Sequence, residues 1–310
     1  MSGFAGGVKK CLIHFLELLP PRFTASLGAG LGRIAYYLEK RGPFGGYMQR
    51  AVRRTLGVTE DEADRVVKAN FIHMGKLIFE LVGSPKLRKK WPKLLELNGR
   101  EHLEAALSQG KGVILLSAHI GNFELLSISL PLLGFPPQHT IAWKFEDTFE
   151  NRYLERIRGQ YGTKLLYSQE LKPNDVLGIL NKGGIILIYP DHYTLGKTVA
   201  PFFGIPTHMP AGPVQYALAT GAPLLPVYAR REGLRTKITI EPPLVLPPAD
   251  GPISRAIVCR GLKVCTATFE RWIRTYPEQY FWLLKRNEWG GDFVDLQNFI
   301  VKEGQDDRDR

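Results

Sequence analysis

From residue 112 onward, short apolar runs alternate with amphipathic stretches. The runs are GVILLSA (112–118), HTIAWK (139–144), TKLLY (163–167), GIILIY (184–189), APLLPVYAR (222–230) and TKITIEPPLVL (236–246). Between them lie segments with helical spacing: FENRYLERIRGQYG, NDVLGILNKG and GPVQYALATG. Strands alternating with helices predict an α/β fold with a mixed, largely parallel central sheet flanked by helices. Runs that are apolar at every position suit strands covered on both faces. RAIVCRGLKVCTATFERWIRTYP reads as a closing helix. Residues 1–98 read differently, as a helical extension. There TEDEADRVVKANFIHMGKLIFELV carries a Thr59 cap, acids in its first turn, and apolar positions at i, i+3, i+4. The expected organisation is a helical, membrane-associating region (1–98), an α/β catalytic domain (99–300) and a solvated, disordered tail (301–310).

The start of the chain, CLIHFLELLPPRFTASLGAGLGRIAYYLEKR, is apolar but interrupted by Glu17, Pro20, Pro21, Arg22 and Arg33. A spanning helix needs about 20 predominantly apolar residues, and this stretch breaks first. Nor does it read as a cleavable signal peptide. Two short helices hinged at the prolines and lying in one leaflet fit it. A helical hairpin capping the domain is the competing reading. GAGLG (28–32) is no dinucleotide loop, because no strand precedes it and the full spacing is missing. Small residues for close helix packing account for it.

Charge sharpens the picture of this region. The net charge is +11, and the first 100 residues hold 18 Lys and Arg against 8 Asp and Glu; the other 210 hold 23 against 22. A basic N-terminal third suits an anionic phospholipid surface or an acidic carrier protein. Nucleic acid is set aside, since no helix-turn-helix, zinc-finger or RNP-type signature accompanies the charge. The 3 cysteines (Cys11, Cys259, Cys265) are too few and too scattered for a disulfide framework.

The chemistry concentrates where GVILLSA meets NFELLSISLPLL. His119 falls at the carboxyl end of a strand, where active sites of open α/β folds gather. A five-residue step on one helix rotates about 140°, so His119 and Glu124 meet only if His119 lies before the helix. Gly121 supplies the bend, Asn122 the N-cap, and Glu124 then sits in the first turn. A carboxylate on one imidazole nitrogen would fix the tautomer and leave the other nitrogen as a general base. No G-x-S-x-G elbow occurs, so the nucleophile would belong to a substrate alcohol. A zinc site built from His119, Glu124, Asp191 and His192 is the sharper alternative, although no compact ligand pair such as H-E-x-x-H occurs.

HIGNFE (119–124) resembles the H-x4-D/E motif of the glycerolipid acyltransferase superfamily, and most closely its bacterial lipid A (lauroyl/myristoyl) branch. Phosphatidylinositol mannoside acyltransferases are close cousins. RIRGQYGTKLL, the block from YPDHYTLGK to LLPVYARR, PEQYFWLLKR and the membrane-proximal LLPPRFTASLGAGLGRIAYYLEKR resemble further family blocks in order. The resemblance implies that His119 deprotonates an acceptor hydroxyl attacking an acyl thioester, with Glu124 orienting the ring and no acyl-enzyme. Backbone N–H groups at Gly121 and Asn122 would be the oxyanion donors. It implies an acyl carrier protein as donor and a glycolipid acceptor, a Kdo-bearing lipid A precursor first among them. The reaction would take place at the cytoplasmic face of a bacterial inner membrane, without cofactor or metal.

Outside that motif the alternatives stay open. Arg158, or Arg156, corresponds to the second-block arginine and would bind a phosphate on the acceptor or on the carrier's pantetheine arm; a solvated helix cation is the rival reading. Asp191 follows the GIILIY strand, at another carboxyl end, where it would contact substrate or cap a turn. Phe203 and Gly204 would line an acyl groove or belong to the core. Arg230 and Arg231, after the LLPVYA strand, would meet headgroup phosphates. Another glycolipid or a lysophospholipid acceptor, a thioesterase or hydrolase using water, and a non-catalytic lipid- or carrier-binding protein remain as competing functions.

Overall fold

The structure, a computed structural model, describes residues 13–16, 18–42, 45–83, 91–144, 149–159, 161–191, 198–248 and 251–284. The proposed tail (301–310), His192, Lys9, Lys10 and Cys11 lie outside them. After helical residues 13–16 come α1 (Pro21–Arg41), α2 (Tyr47–Leu56) and α3 (Glu60–Gly83). Thr59 and Glu62 close a capping box at the start of α3: the Thr59 N–H donates to Glu62 Oε2 (2.9 Å) and the Glu62 N–H to Thr59 Oγ1 (3.3 Å). Strand β1 (Leu95–Asn98) and helix α4 (Arg100–Ser108) lead into β2 (Val113–Leu116) and α5 (Phe123–Leu132). The chain continues through β3 (His139–Ala142), α6 (Phe149–Gly159), β4 (Lys164–Tyr167), α7 (Pro173–Asn181) and β5 (Ile185–Ile188). A hairpin of β6 (Val199–Phe202) and β7 (Ile205–His208) precedes α8 (Gly212–Thr220), β8 (Leu224–Glu232), β9 (Arg235–Ile240) and α9 (Arg255–Thr275).

Among the described residues the main sheet has seven strands in the order β1-β9-β8-β2-β5-β3-β4, all paired in parallel except β8 with β9. The fold is therefore mixed α/β, largely parallel, with helices on both faces. β2 and β5 are buried at every position. Their alternate residues feed two cores: Ile114, Leu116, Ile186 and Ile188 on one face, Val113, Leu115, Ile185 and Leu187 on the other. β1 belongs to the sheet, and Tyr36, Met48, Val52 and Val67 of the helical region share a core with Ile114 and Leu116.

Glycines set the packing of α1 on α3. A Cβ at Gly28 would stand 2.4 Å from the Gly75 carbonyl oxygen, and one at Gly32 would stand 2.3 Å from that of Phe71. The two backbones touch, so GAGLG serves helix packing as its small residues predicted. This contact turns the other side of α1 outward. Phe23, Leu27, Leu31, Ile34 and Leu38, between 43% and 67% exposed, line an arc of about 80° on its surface.

Candidate active site

β2 ends at Leu116, paired with Ile188 of β5. His119 and Asp191 each stand three residues beyond that parallel pair, and this register brings them together. Asp191, with no exposed surface, grips His119 twice. Its Oδ2 accepts the His119 backbone N–H at 2.8 Å, and its Oδ1 lies 2.8 Å from ring Nδ1. A carboxylate only accepts, so Nδ1 carries the hydrogen and Nε2 of the neutral ring carries the lone pair. The ring packs edge-on against Phe123 (5.0 Å between centroids) and at a tilt against Tyr189 (5.1 Å). Burial pushes the Tyr189 phenol well above its usual range, and its hydroxyl donates to the Phe123 carbonyl at 3.0 Å. The His119 side chain keeps 21% of its surface exposed.

The turn after His119 is held through its backbone. Gly121 has φ +63°, and a Cβ there would lie 1.9 Å from the Ala229 carbonyl oxygen; both facts require glycine. The Gly121 N–H donates to the Gln279 carbonyl (2.9 Å) and the Asn122 N–H to that of Ala229 (2.6 Å). The Phe281 N–H donates to the His119 carbonyl at 2.8 Å. Asn122 caps α5 as expected, its Oδ1 accepting the Leu125 N–H at 3.1 Å. The expected oxyanion role of the Gly121 and Asn122 N–H groups is corrected by these bonds, because both hydrogens are spent on the scaffold.

Glu124 does sit in the first turn of α5, but its partner is Arg158 rather than His119. Arg158 Nε donates to Oε2 at 3.0 Å and Nη2 to Oε1 at 2.7 Å, a bidentate pair with side chains 16% and 11% exposed. Burial would lower the Arg158 pKa, but the charge and hydrogen bonds of Glu124 outweigh it and hold the guanidinium above its usual value. Two expectations change together. The carboxylate on the imidazole is Asp191, and the Arg158 guanidinium faces the buried Glu124. Arg156 stacks its guanidinium on the Tyr153 ring, 4.9 Å from the centroid. The zinc arrangement loses its coherence, since Glu124 is turned to Arg158. Among the described residues no three His, Cys, Asp or Glu cluster as a metal site.

The remaining candidates lie apart from the imidazole. Phe203 and Gly204 form the two-residue turn of the β6–β7 hairpin, with φ +53° and +72°. This turn is fastened to α9: Glu270 Oε1 accepts the Phe203 N–H at 2.6 Å, and Arg274 stands over the Phe203 ring at 4.9 Å. Phe203 packs in the core of one sheet face, whereas Phe123, Tyr189 and Phe281 belong to that of the other. Arg230 faces Tyr276, donating to its hydroxyl at 3.0 Å, and pairs with Glu232. The arginine with the more buried side chain is its neighbour Arg231, which meets Glu80 and His73 behind the turn that carries His119. Arg231 was legible beside Arg230 as a candidate for a headgroup phosphate, whereas His73 and Glu80 were not legible as site residues. The signal for Arg231 was its place directly after the apolar β8 run, at another strand end.

Residues 10–288 match the family described as bacterial lipid A biosynthesis acyltransferase. A phosphatidylinositol mannoside acyltransferase of Mycolicibacterium smegmatis is 26% identical over 255 residues, covering 80% of each chain. One from Mycobacterium tuberculosis strain H37Rv is 27% identical over 263 residues, covering 82% of this chain and 81% of the relative. The lipid A biosynthesis lauroyltransferase of Escherichia coli K12 is 26% identical over 286 residues, covering 86% of each.

Proposed function

The chain belongs to the bacterial lipid A biosynthesis acyltransferase family, and from that premise we propose that it moves a fatty acyl chain from an acyl carrier protein onto a hydroxyl of a glycolipid. The observation that carries the reading is the His119–Asp191 pair at the carboxyl ends of two parallel strands. With Nδ1–H given to Asp191, Nε2 takes the proton of the acceptor hydroxyl as that oxygen attacks the thioester carbonyl. The tetrahedral intermediate expels the thiolate, and the imidazolium returns the proton to the leaving sulfur. Asp191 stabilises the imidazolium while it lasts. General base catalysis of this kind contributes about 10²–10⁴-fold.

The exposed ridge of α1 supports action at a membrane surface. No helix of the described residues is long and apolar enough to cross a membrane. A helix that buries one face on α3 and offers Phe23, Leu27, Leu31, Ile34 and Leu38 on the other, with Arg22, Arg33, Lys40 and Arg41 along it, suits insertion among anionic headgroups. The proposed place of action is the cytoplasmic face of the bacterial inner membrane. The proposed acceptor is a lipid A precursor, and the mannoside-specific names of two relatives make a phosphatidylinositol mannoside the second acceptor to test. The experiment combines purified protein, a chain-length series of acyl carrier proteins and both glycolipids, with products read by mass spectrometry. Acylated glycolipid is expected from the wild type and is reduced at least a hundredfold in His119→Ala. Free fatty acid released at the same rate without acceptor would replace the transferase reading with a hydrolase.

A further inference from the structure

Behind the catalytic turn lies a buried polar cluster that the acyl-transfer mechanism does not use. His73 and Glu80 come from α3, and Arg231 comes from the end of β8. His73 is 6% exposed, and the Glu80 and Arg231 side chains are 11% and 7% exposed. Arg231 Nη1 pairs with Glu80 Oε1, and Arg231 Nε points at His73 Nδ1 from 3.4 Å. Burial, with the charges of Arg231 and Lys76, pushes the His73 pKa down to about 3, so the ring is neutral. Its other nitrogen, Nε2, lies 3.1 Å from the Gly121 carbonyl oxygen. A carbonyl only accepts, so Nε2 carries the hydrogen and Nδ1 accepts from Arg231.

The contacts converge on one peptide plane. The Gly121 C=O takes the His73 hydrogen while the N–H of the same peptide, on Asn122, is given to Ala229. Asn122 Nδ2 donates to Glu80 Oε2 at 3.2 Å. The segment that braces the turn from its other side is tied in as well. The Arg231 N–H donates to Gln279 Oε1 (2.9 Å), Gln279 Nε2 donates to the Arg231 carbonyl (3.2 Å), and Asn70 Nδ2 donates to the Glu278 carbonyl at 3.0 Å. An ion pair buried this deeply is weak evidence for stability, since apolar residues of similar volume often serve as well. Its geometry serves the turn instead.

We propose that His73, Glu80 and Arg231 are positioning residues: they fasten the Gly121–Asn122 peptide from behind and thereby set where the His119 imidazole stands. The role in turnover rests on the acyl-transfer reading, but the effect on the turn does not. The test compares wild type, His73→Leu and His73→Gln. The glutamine amide reaches about where imidazole Nε2 stands and restores a donor to Gly121. The readouts are kcat and KM for both substrates, together with amide hydrogen exchange of peptides covering 117–125 and 185–188. His73→Leu is expected to lower kcat about 10–100-fold, to leave both KM values within about threefold, and to speed exchange in 117–125 but not in 185–188. His73→Gln is expected to recover most of both losses.

Unchanged exchange in 117–125 would overturn the proposal. So would equal acceleration in both peptides, or a glutamine variant no better than leucine. If His73→Leu does not fold, Arg231→Lys is read the same way, since it keeps a cation beside Glu80 but loses the Nε–H at His73. A wild type that transfers no acyl chain would break the acyl-transfer reading alone, and the exchange comparison would still decide the positioning role.

Discussion

Two carboxylates flank the turn that carries His119, and they do different work. Asp191, beyond β5, is fully buried and spends both oxygens on His119. Glu124, in the first turn of α5, spends both of its oxygens on Arg158. Sequence proximity favoured Glu124, five residues away; the register of parallel strands favoured Asp191, 72 residues away. The difference teaches that in an open parallel sheet, side chains beyond adjacent strand ends are closer neighbours than side chains along one chain. It separates a carboxylate that orients the His119 imidazole from one that holds α5 to α6.

The largest effect that would break this comparison is expected from Asp191→Asn. The amide has one acceptor and one donor where the carboxylate has two acceptors. The backbone N–H of His119 cannot change its hydrogen, so the amide oxygen must serve it and the NH₂ then faces Nδ1. The ring hydrogen moves to Nε2 and the base is lost. Steady-state assays are expected to show kcat lower by about 10²–10⁴-fold, with folding retained.

Next comes the other carboxylate. Arg158→Met leaves Glu124 buried without its cation and should destabilise the fold by about 3–5 kcal/mol, measured by urea unfolding. The double variant Glu124→Leu/Arg158→Met should recover a large part of that loss. If the double variant is as unstable as the single one, the pair is not what joins the two helices.

A smaller effect concerns the histidine behind the turn. A folded His73 pKa near 3 lies below the unfolded value of about 6.5. The unfolded chain therefore binds the extra proton, and stability falls as pH drops below about 6.5 toward 3. Between pH 7 and pH 5 the wild type should lose about 2 kcal/mol more than His73→Gln in paired denaturation curves. Parallel curves would mean that His73 is not held neutral.

The smallest effect lies farthest from the turn, on α1. Leu31→Ser with Ile34→Ser should weaken binding to anionic vesicles about tenfold in sedimentation assays. The unfolding free energy should change by no more than about 0.5 kcal/mol, because both side chains already face solvent. Undiminished vesicle binding would remove the ridge from the account.

How far the sequence could be read follows from the same contrast. β2 and β5 were legible because burial on both faces demands unbroken apolar runs. β1 was not, since LELN at the sheet edge shows no such run and follows a helical stretch. β6 and β7 were hidden by Pro201 and Pro206 and by their length of four residues each. Within the site, the Gly121 bend and the Asn122 cap were legible because φ and capping are local demands. The partners of Glu124 and of His119 were not, because side-chain pairing across 34 and 72 residues depends on strand order. Helix α1 announced a close helix contact through the small residues of GAGLG, but not that α3 would be its partner, and the polar face of α3 gave no such sign.

The central claim is that Asp191, not Glu124, fixes the tautomer of His119. Long-range ¹H–¹⁵N correlation of the imidazole nitrogens, recorded with the rings neutral, tests it without any substrate. His119→Ala serves to assign the signal. The account predicts the Nδ1–H tautomer in wild type and in Glu124→Gln, and the Nε2–H tautomer in Asp191→Asn. A tautomer that changes in Glu124→Gln and persists in Asp191→Asn would contradict it.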